Sequence, residues 1–298
     1  MKFAQLNNAV SGARLECSGS AGRLSYYSAG QGKPLLLLHS INAAASAYEM
    51  RPIFESQRQS RCVYALDLPG FGFSERSRRR YEPELYVAAT FDALDVIDPE
   101  RRQRIDVVAL SLSCEFLARA AMRRPERFGR LVFITPTGFQ KNAENLRGAP
   151  GSTREVAAVS ILLLALSDGL FGLLTSRSSI RYFLRRTAGS DNVDESLVDY
   201  AYRTAHQPGA KHAPLAFLSG ALFSRDIRTV YENLKAPIWV PHGTRGDFAD
   251  VSGASGLLMR ENWRLQPFDA GALVHYEKPL EFMAGLEQFL DGDSHAPG

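Results

Sequence analysis

Val107-Val-Ala-Leu-Ser-Leu-Ser-Cys114 is the stretch that decides how this chain is read. Its first half, within Ile105 to Leu110, is a short β-branched and apolar run. Its second half opens a helical pattern, Cys114 to Arg124, which Pro125 stops. A tight strand-to-helix turn at such a junction lifts one serine hydroxyl to the top of a sheet. The residues two before and two after that serine must be small for strand and helix to approach, and Ala109 and Ser113 are small. Ser111 is therefore the candidate nucleophile, and the Leu112 amide at the helix start can stabilise an oxyanion. On its own the pentapeptide is weak evidence and reads more readily as a serine capping a helix; its surroundings have to decide.

Outward from this segment, apolar runs of strand length alternate with amphipathic ones. Leu35 to Leu38, Cys62 to Leu66, Leu131 to Ile134 and Ile238 to Val240 read as strands buried on both faces. Ala13 to Cys17 and Leu24 to Tyr27, with Gly19 and Gly22 between them, read as an opening hairpin. Glu84 to Val96 has helical spacing, and the face Leu280, Phe282, Met283, Leu286 and Phe289-Leu290 predicts a C-terminal helix. This alternation predicts an α/β fold, a mostly parallel sheet flanked by helices. Between about Phe139 and Lys235 the strand-like runs vanish and helical stretches take over: Ala157 to Leu174, Ser179 to Arg186, Glu195 to Ala205 and Ala213 to Leu222. The expected organisation is a core of residues 1–138 and 236–298 with a helical cap, 139–235, inserted between the sixth and seventh strands.

At 298 residues, 45% hydrophobic and 22% charged, the chain is long enough for one large α/β domain and too apolar for intrinsic disorder. A net charge of +3 leaves no footprint for nucleic acid as a partner. The three cysteines, Cys17, Cys62 and Cys114, form neither a disulfide framework nor a metal-ligand spacing. The first residues lack an apolar signal region, and the longest apolar stretch, Ile161 to Leu174, is too short and too interrupted to span a bilayer. The expectation is a cytoplasmic protein without stable membrane insertion.

Beside the elbow, four further segments in the right order resemble the α/β-hydrolase fold family. Leu35 to His39-Ser40 resembles its strand ending in His-Gly, followed by Ile41 and Asn42 where a second oxyanion amide is usually found. Asp67-Leu-Pro-Gly-Phe-Gly-Phe-Ser74 matches the family's Asp-x-Pro-Gly-x-Gly-x-Ser loop and is the most specific match. Pro237 to Gly243 resembles the strand before the triad acid, and Ala270-Gly271 through Glu277-Lys-Pro279 resembles the segment around the catalytic histidine. The resemblance implies a helical cap where the insertion lies, and a nucleophile–histidine–acid triad.

Two of the three triad positions depart from that pattern. The acid commonly falls three residues after the glycine ending the seventh strand, which here is Gly246; Asp247 follows it, and Asp250, further on, is the alternative acid. The base position holds Ala272, and His275 matches the family's second, structural histidine. A serine without a base is a poor nucleophile. Either His275 and Asp247 have moved together to replace the lost pair, or both functions are gone and the cavity binds a ligand without hydrolysis.

The preferred expectation is a hydrolase-like enzyme acting on a small, largely apolar ester, thioester or related carbonyl compound. Ser111 attacks, the Ile41 and Leu112 amides hold the oxyanion, and His275 oriented by Asp247 moves the proton. No metal or organic cofactor is implied, since these groups suffice for acyl transfer. The alternatives are a silent module binding an apolar ligand or a protein partner, and a lyase or cofactor-free reaction in the same pocket. Ser40, Asn42, Cys114 and His212 are candidate pocket residues, with Asn42 a potential side-chain donor to the oxyanion and Cys114 more simply a packing residue. Arg76, Arg78, Arg79 and Arg80 form either a solvated loop or an attractor for an anionic substrate. Ile161 to Leu164, Leu166, Leu170, Phe171, Leu173 and Leu174 predict hydrophobic pocket walls.

Overall fold

The computed structural model describes residues 5–139, 167–257 and 260–292. Its frame is one eight-stranded sheet in the order β1-β2-β4-β3-β5-β6-β7-β8. The strands are β1 (Ala13–Gly19), β2 (Gly22–Ala29), β3 (Pro34–Leu38), β4 (Cys62–Asp67), β5 (Ile105–Leu110), β6 (Phe128–Ile134), β7 (Ile238–Gly243) and β8 (Trp263–Phe268). β1 pairs antiparallel with β2, and β2 antiparallel with β4; every other pairing is parallel. The parallel strands are joined through α1 (Arg51–Gln57), α2 (Pro83–Ile97) and α3 (Ser113–Arg123).

Alternation along each buried strand divides its side chains between two cores. Leu36 and Leu38 of β3 join Val107 and Ala109 of β5 on the face covered by α2 and α3. Leu35, Leu37, Val108 and Leu110 join Trp239 and Phe282 on the opposite face. Apolar runs without polar interruption are what this double burial requires. β8 escapes a reading by apolar runs because it is an edge strand: Trp263 and Phe268 are buried while Arg264 and Pro267 face outward. α1 was also not expected from the sequence.

The chain leaves the sheet after β6 and returns at β7. The described part of that insertion is helical: α4 (Ser167–Leu174), α5 (Arg177–Ala188), α6 (Glu195–Ala205), α7 (His212–Leu218) and α8 (Ile227–Glu232). Local chemistry sets these boundaries. The Ser176 side chain accepts the Ser179 amide to start α5, and the Asp194 carboxylate accepts the Ser196 and Leu197 amides to start α6. α7 ends at Leu218, four residues earlier than the spacing predicted. The apolar run Ile161 to Leu166 lies outside the described residues. After β8, α9 (Val274–Glu277) and α10 (Pro279–Asp291) close the core. No helix among the described residues is long and apolar enough to cross a membrane.

Candidate active site

The β5–α3 junction is a strained turn centred on Ser111. Its φ of +56° lies in the left-handed region, unusual for a residue with a Cβ. Backbone bonds on both sides hold it there: the Ser111 amide donates to the Ile134 carbonyl (2.9 Å), and the Ser111 carbonyl accepts the Cys114 amide (3.1 Å) as α3 begins. The small flanking residues do what the spacing predicted. Ala109 and Ser113 are fully buried, and the Ser113 hydroxyl donates to the His39 carbonyl (2.5 Å), drawing α3 onto the end of β3. Among the described residues, no group hydrogen-bonds the Ser111 hydroxyl.

The turn after β3 faces this elbow and is built around a buried carboxylate, Glu49. One Glu49 oxygen accepts the Ser40 amide (2.8 Å), and the other accepts the Asn42 side-chain amide (2.7 Å). Asn42 donates its remaining hydrogen to the Ser40 hydroxyl (2.8 Å), and its carbonyl accepts the Ala44 amide. Both Asn42 hydrogens are therefore committed, which corrects the expectation that its side chain could donate to an oxyanion. Ser40 likewise belongs to the turn's own scaffold. Burial raises the Glu49 carboxyl above its ordinary range, with the Ser40 and Asn42 hydrogen bonds opposing. His39 is structural too: its Nε2 accepts the Leu68 amide (3.0 Å), so Nδ1 carries the proton donated to the Ser40 carbonyl (2.6 Å). Burial lowers its pKa to about 3.

The amides of Ile41 and Leu112 are different. These residues are 2% and 0% exposed, yet neither amide has an acceptor among the described residues. Orphaned buried amides are rare in folded proteins. An oxyanion between them would supply the missing acceptor.

The expected base–acid pair does not form. His275 is fully buried, and its Nε2 donates to the Glu49 carbonyl (2.7 Å), which fixes the tautomer and leaves Nδ1 without a partner. Its ring packs against Tyr276 and Phe282, and burial brings its pKa down to about 4. Asp247 lies elsewhere: its carboxylate is held by the Arg186 guanidinium, and its amide donates to the Arg186 carbonyl (3.1 Å). An arginine from α5 thus takes the charge that a shifted triad would have used to orient an imidazole. Asp250 accepts the Ser252 amide of its own loop (2.9 Å). At the family's acid position, Gly246 has φ +79°, and a Cβ there would meet the Arg186 and Thr187 carbonyl oxygens at 2.7 Å. Ala272, at the base position, is 6% exposed; its carbonyl accepts the Thr135 hydroxyl (3.0 Å) and its amide donates to the Thr187 carbonyl (2.9 Å).

Of the remaining candidates, Cys114 is fully buried with its thiol directed to the Ala109 carbonyl (3.3 Å). Desolvation pushes that thiol well above its usual pKa, the opposite of an activated cysteine. His212 opens α7; partial burial, then the charges of Lys211 and Arg78, push its pKa down. The arginine cluster is divided. Arg76 donates to the Thr204 carbonyl (3.0 Å) and hydroxyl (3.2 Å), tying the Asp67 loop to α6. Arg79 donates to the Ala21 carbonyl, and Arg80 pairs with Glu82. Among the described residues, no three metal-ligating side chains are grouped to hold an ion.

Glu49 and Thr135, passed over in the sequence, shape this site, and Glu115, whose i,i+4 spacing to Arg119 reads as an ion pair on a solvated helix face, is instead fully buried. Thr135 has φ +44°, costly for a β-branched residue, and sits at the end of β6 beside the elbow. Glu115, one turn into α3 and fully buried, accepts the Thr137 hydroxyl (2.6 Å) and the Ser224 amide (3.1 Å). It thereby joins α3 to both ends of the insertion. A single acid in a helix pattern carries no sign of partners so distant in sequence.

The model of the alpha/beta hydrolase family matches residues 35–286. The chain belongs to that family. It is 27% identical over 190 residues to the 2-hydroxymuconate semialdehyde hydrolase of Pseudomonas sp. (strain CF600), covering 63% of this chain and 59% of that one. The chain thus spans about three fifths of the length of the curated hydrolases it matches first. Among solved structures, a serine hydrolase from Cycloclasticus zankles superposes with a TM-score of 0.73 at 18% identity, covering 95% of this chain and 99% of that one. The enol-lactonase of Burkholderia xenovorans LB400 gives 0.72 at 17% identity, covering 93% and 100%. At these identities the superpositions show the shared fold. Proteins named as hydrolases are thus among its relatives in sequence and among the structures that share its fold.

Proposed function

We propose that the protein is a hydrolase-type enzyme acting through Ser111 on a small, largely apolar carbonyl compound whose leaving group departs without protonation. The observation that carries this reading is the left-handed strain at Ser111, φ +56°, kept beside two buried and unpartnered amides. Strain of this kind costs about 1–3 kcal/mol and persists where the surrounding structure over-determines it. In the proposed step the Ser111 oxygen adds to the carbonyl carbon, and its proton passes to water or hydroxide. The Ile41 and Leu112 amides hold the oxyanion; the leaving group departs as its anion, and water then cleaves the acyl-Ser111 ester.

Without an imidazole, the rate enhancement comes from Ser111 acting as the nucleophile beside the oxyanion donors, added to the roughly 10³–10⁴ over water that donors and binding alone supply in serine hydrolases stripped of a triad member. That is enough for thioesters and for aryl or enol esters, and too little for simple alkyl esters. The described part of the insertion, residues 167–235, is read as belonging to a cap that supplies apolar walls to the site.

The test compares 4-nitrophenyl butyrate with ethyl butyrate in the wild type, Ser111→Ala and His275→Gln. Turnover of the aryl ester alone, lost in Ser111→Ala and kept in His275→Gln, supports the reading. Equal rates in wild type and Ser111→Ala would sink it. A second reading, a silent module that binds an apolar ligand, is favoured by the commitment of His275 to the Glu49 carbonyl. It requires that a fluorophosphonate probe leave Ser111 unlabelled while an apolar ligand still raises the melting temperature.

A further inference from the structure

The loops after β7 and β8, which in the family carry the acid and the base, both end on one feature: the last turn of α5. The Asp247 amide donates to the Arg186 carbonyl (3.1 Å), and the Ala272 amide donates to the next carbonyl, Thr187 (2.9 Å). Arg186 also holds the Asp247 carboxylate. Carbonyls in the last turn of a helix have no partner within the helix and must find donors elsewhere. Here the two former triad loops supply them.

Close backbone approach makes this possible. Gly271 lies against the Thr187 carbonyl and the Ala188 backbone, so near that a Cβ would collide with both. Gly246 is crowded by the Arg186 and Thr187 carbonyls in the same way. From α5 the contacts run back to the nucleophile. The Ala272 carbonyl accepts the Thr135 hydroxyl (3.0 Å), and the neighbouring Ile134 carbonyl accepts the Ser111 amide (2.9 Å).

We infer that the acid and base loops of this protein have become a latch: Gly246-Asp247 and Gly271-Ala272 are positioning residues that seat α5 on the core and tie the insertion to the Ser111 turn. This rests on the fold and not on the reaction at Ser111, so it stands or falls separately from the proposed activity. It also accounts for the departure at the acid position, because a side chain at Gly246 would have to share space with the α5 carbonyls.

Hydrogen exchange on the full chain tests it. In the wild type, the Asp247 and Ala272 amides should exchange in step with the α5 amides and faster than those of β5, because one opening frees them all. Gly271→Ala is a selective perturbation, since φ at this position is not left-handed and the three atoms nearest the added methyl all belong to α5. The variant should speed exchange of Asp247, Ala272 and α5 by at least about tenfold while leaving β5 unchanged. Exchange of Asp247 and Ala272 at rates unrelated to α5, or acceleration spread equally into β5, would overturn the inference. The wild-type comparison decides the matter even where Gly271→Ala does not fold.

Discussion

The two halves of the site have had different fates. On one side the β5–α3 elbow and the turn after β3 keep a strained serine and two buried, unpartnered amides. On the other, the loops after β7 and β8 spend their polar groups on α5 and on one another. The first side keeps groups without partners, as a site awaiting a ligand must. On the second, backbone donors are paired and the space for an acid at Gly246 is filled by helix backbone. The scaffold can thus retain electrophilic activation of a carbonyl while giving up proton transfer, because the two tasks sit on different strands.

The largest expected effect lies on the retained side. Ser111→Ala should lower turnover of 4-nitrophenyl butyrate by at least about 100-fold, because the covalent route is removed outright and only the background from the oxyanion donors and binding remains. A loss under threefold in steady-state kinetics would erase the contrast between the halves.

The next effect sharpens the assignment of His275 as a buried structural group. Its folded pKa of about 4 lies below the unfolded value of about 6.5. Between these values the unfolded chain binds more protons, so stability is full above pH 6.5 and falls as pH drops towards 4. The loss reaches about 3 kcal/mol. His39 acts in the same sense, its folded pKa lying at about 3. Glu49 and Asp67 act in the opposite sense, since burial raises their carboxyls. His275→Gln isolates the one contribution: urea denaturation from pH 7 to pH 4 should show a flatter loss in the variant. Parallel curves would place the ring in a less buried setting.

Glu115→Ala should destabilise by about 2–3 kcal/mol, leaving the Thr137 hydroxyl and the Ser224 amide without their acceptor. Glu115→Gln keeps an acceptor and should recover part of that loss in the same denaturation assay. The smallest effect belongs to the exposed Arg186–Asp247 pair. Arg186→Ala should leave the denaturation midpoint unmoved within measurement error, because the backbone bonds of the latch remain. A clear drop would mean that the ion pair, and not the backbone contact, seats α5.

The legible parts of this molecule were those whose partners are local or whose residue types admit one geometry. The Asp67 to Ser74 loop shows why. The Asp67 carboxylate accepts the Ala47 and Phe73 amides (2.9 Å each), and Gly72, at φ +49°, presses so closely on that carboxylate that no Cβ fits. Such a loop can be spelled in few ways. The elbow was legible because Ala109 and Ser113 had to be small, and β5 because both its faces are buried. β8 was missed since an edge strand shows one buried face and tolerates Pro267. The pairing of His275 with Asp247 was expected from chain proximity to the family positions. Arg186, some sixty residues before Asp247, and the Glu49 carbonyl compete for those groups, and no local pattern announces them.

In the proposed reaction Ser111 works with oxyanion donors and without a protein imidazole. The pH dependence of the Ser111-dependent rate of 4-nitrophenyl butyrate hydrolysis, from pH 5 to pH 9, tests it most directly. The logarithm of that rate should climb steadily with hydroxide and show no plateau after neutrality, in the wild type and in His275→Gln alike. A rise that levels off above an inflection in the imidazole range and disappears in His275→Gln would contradict it.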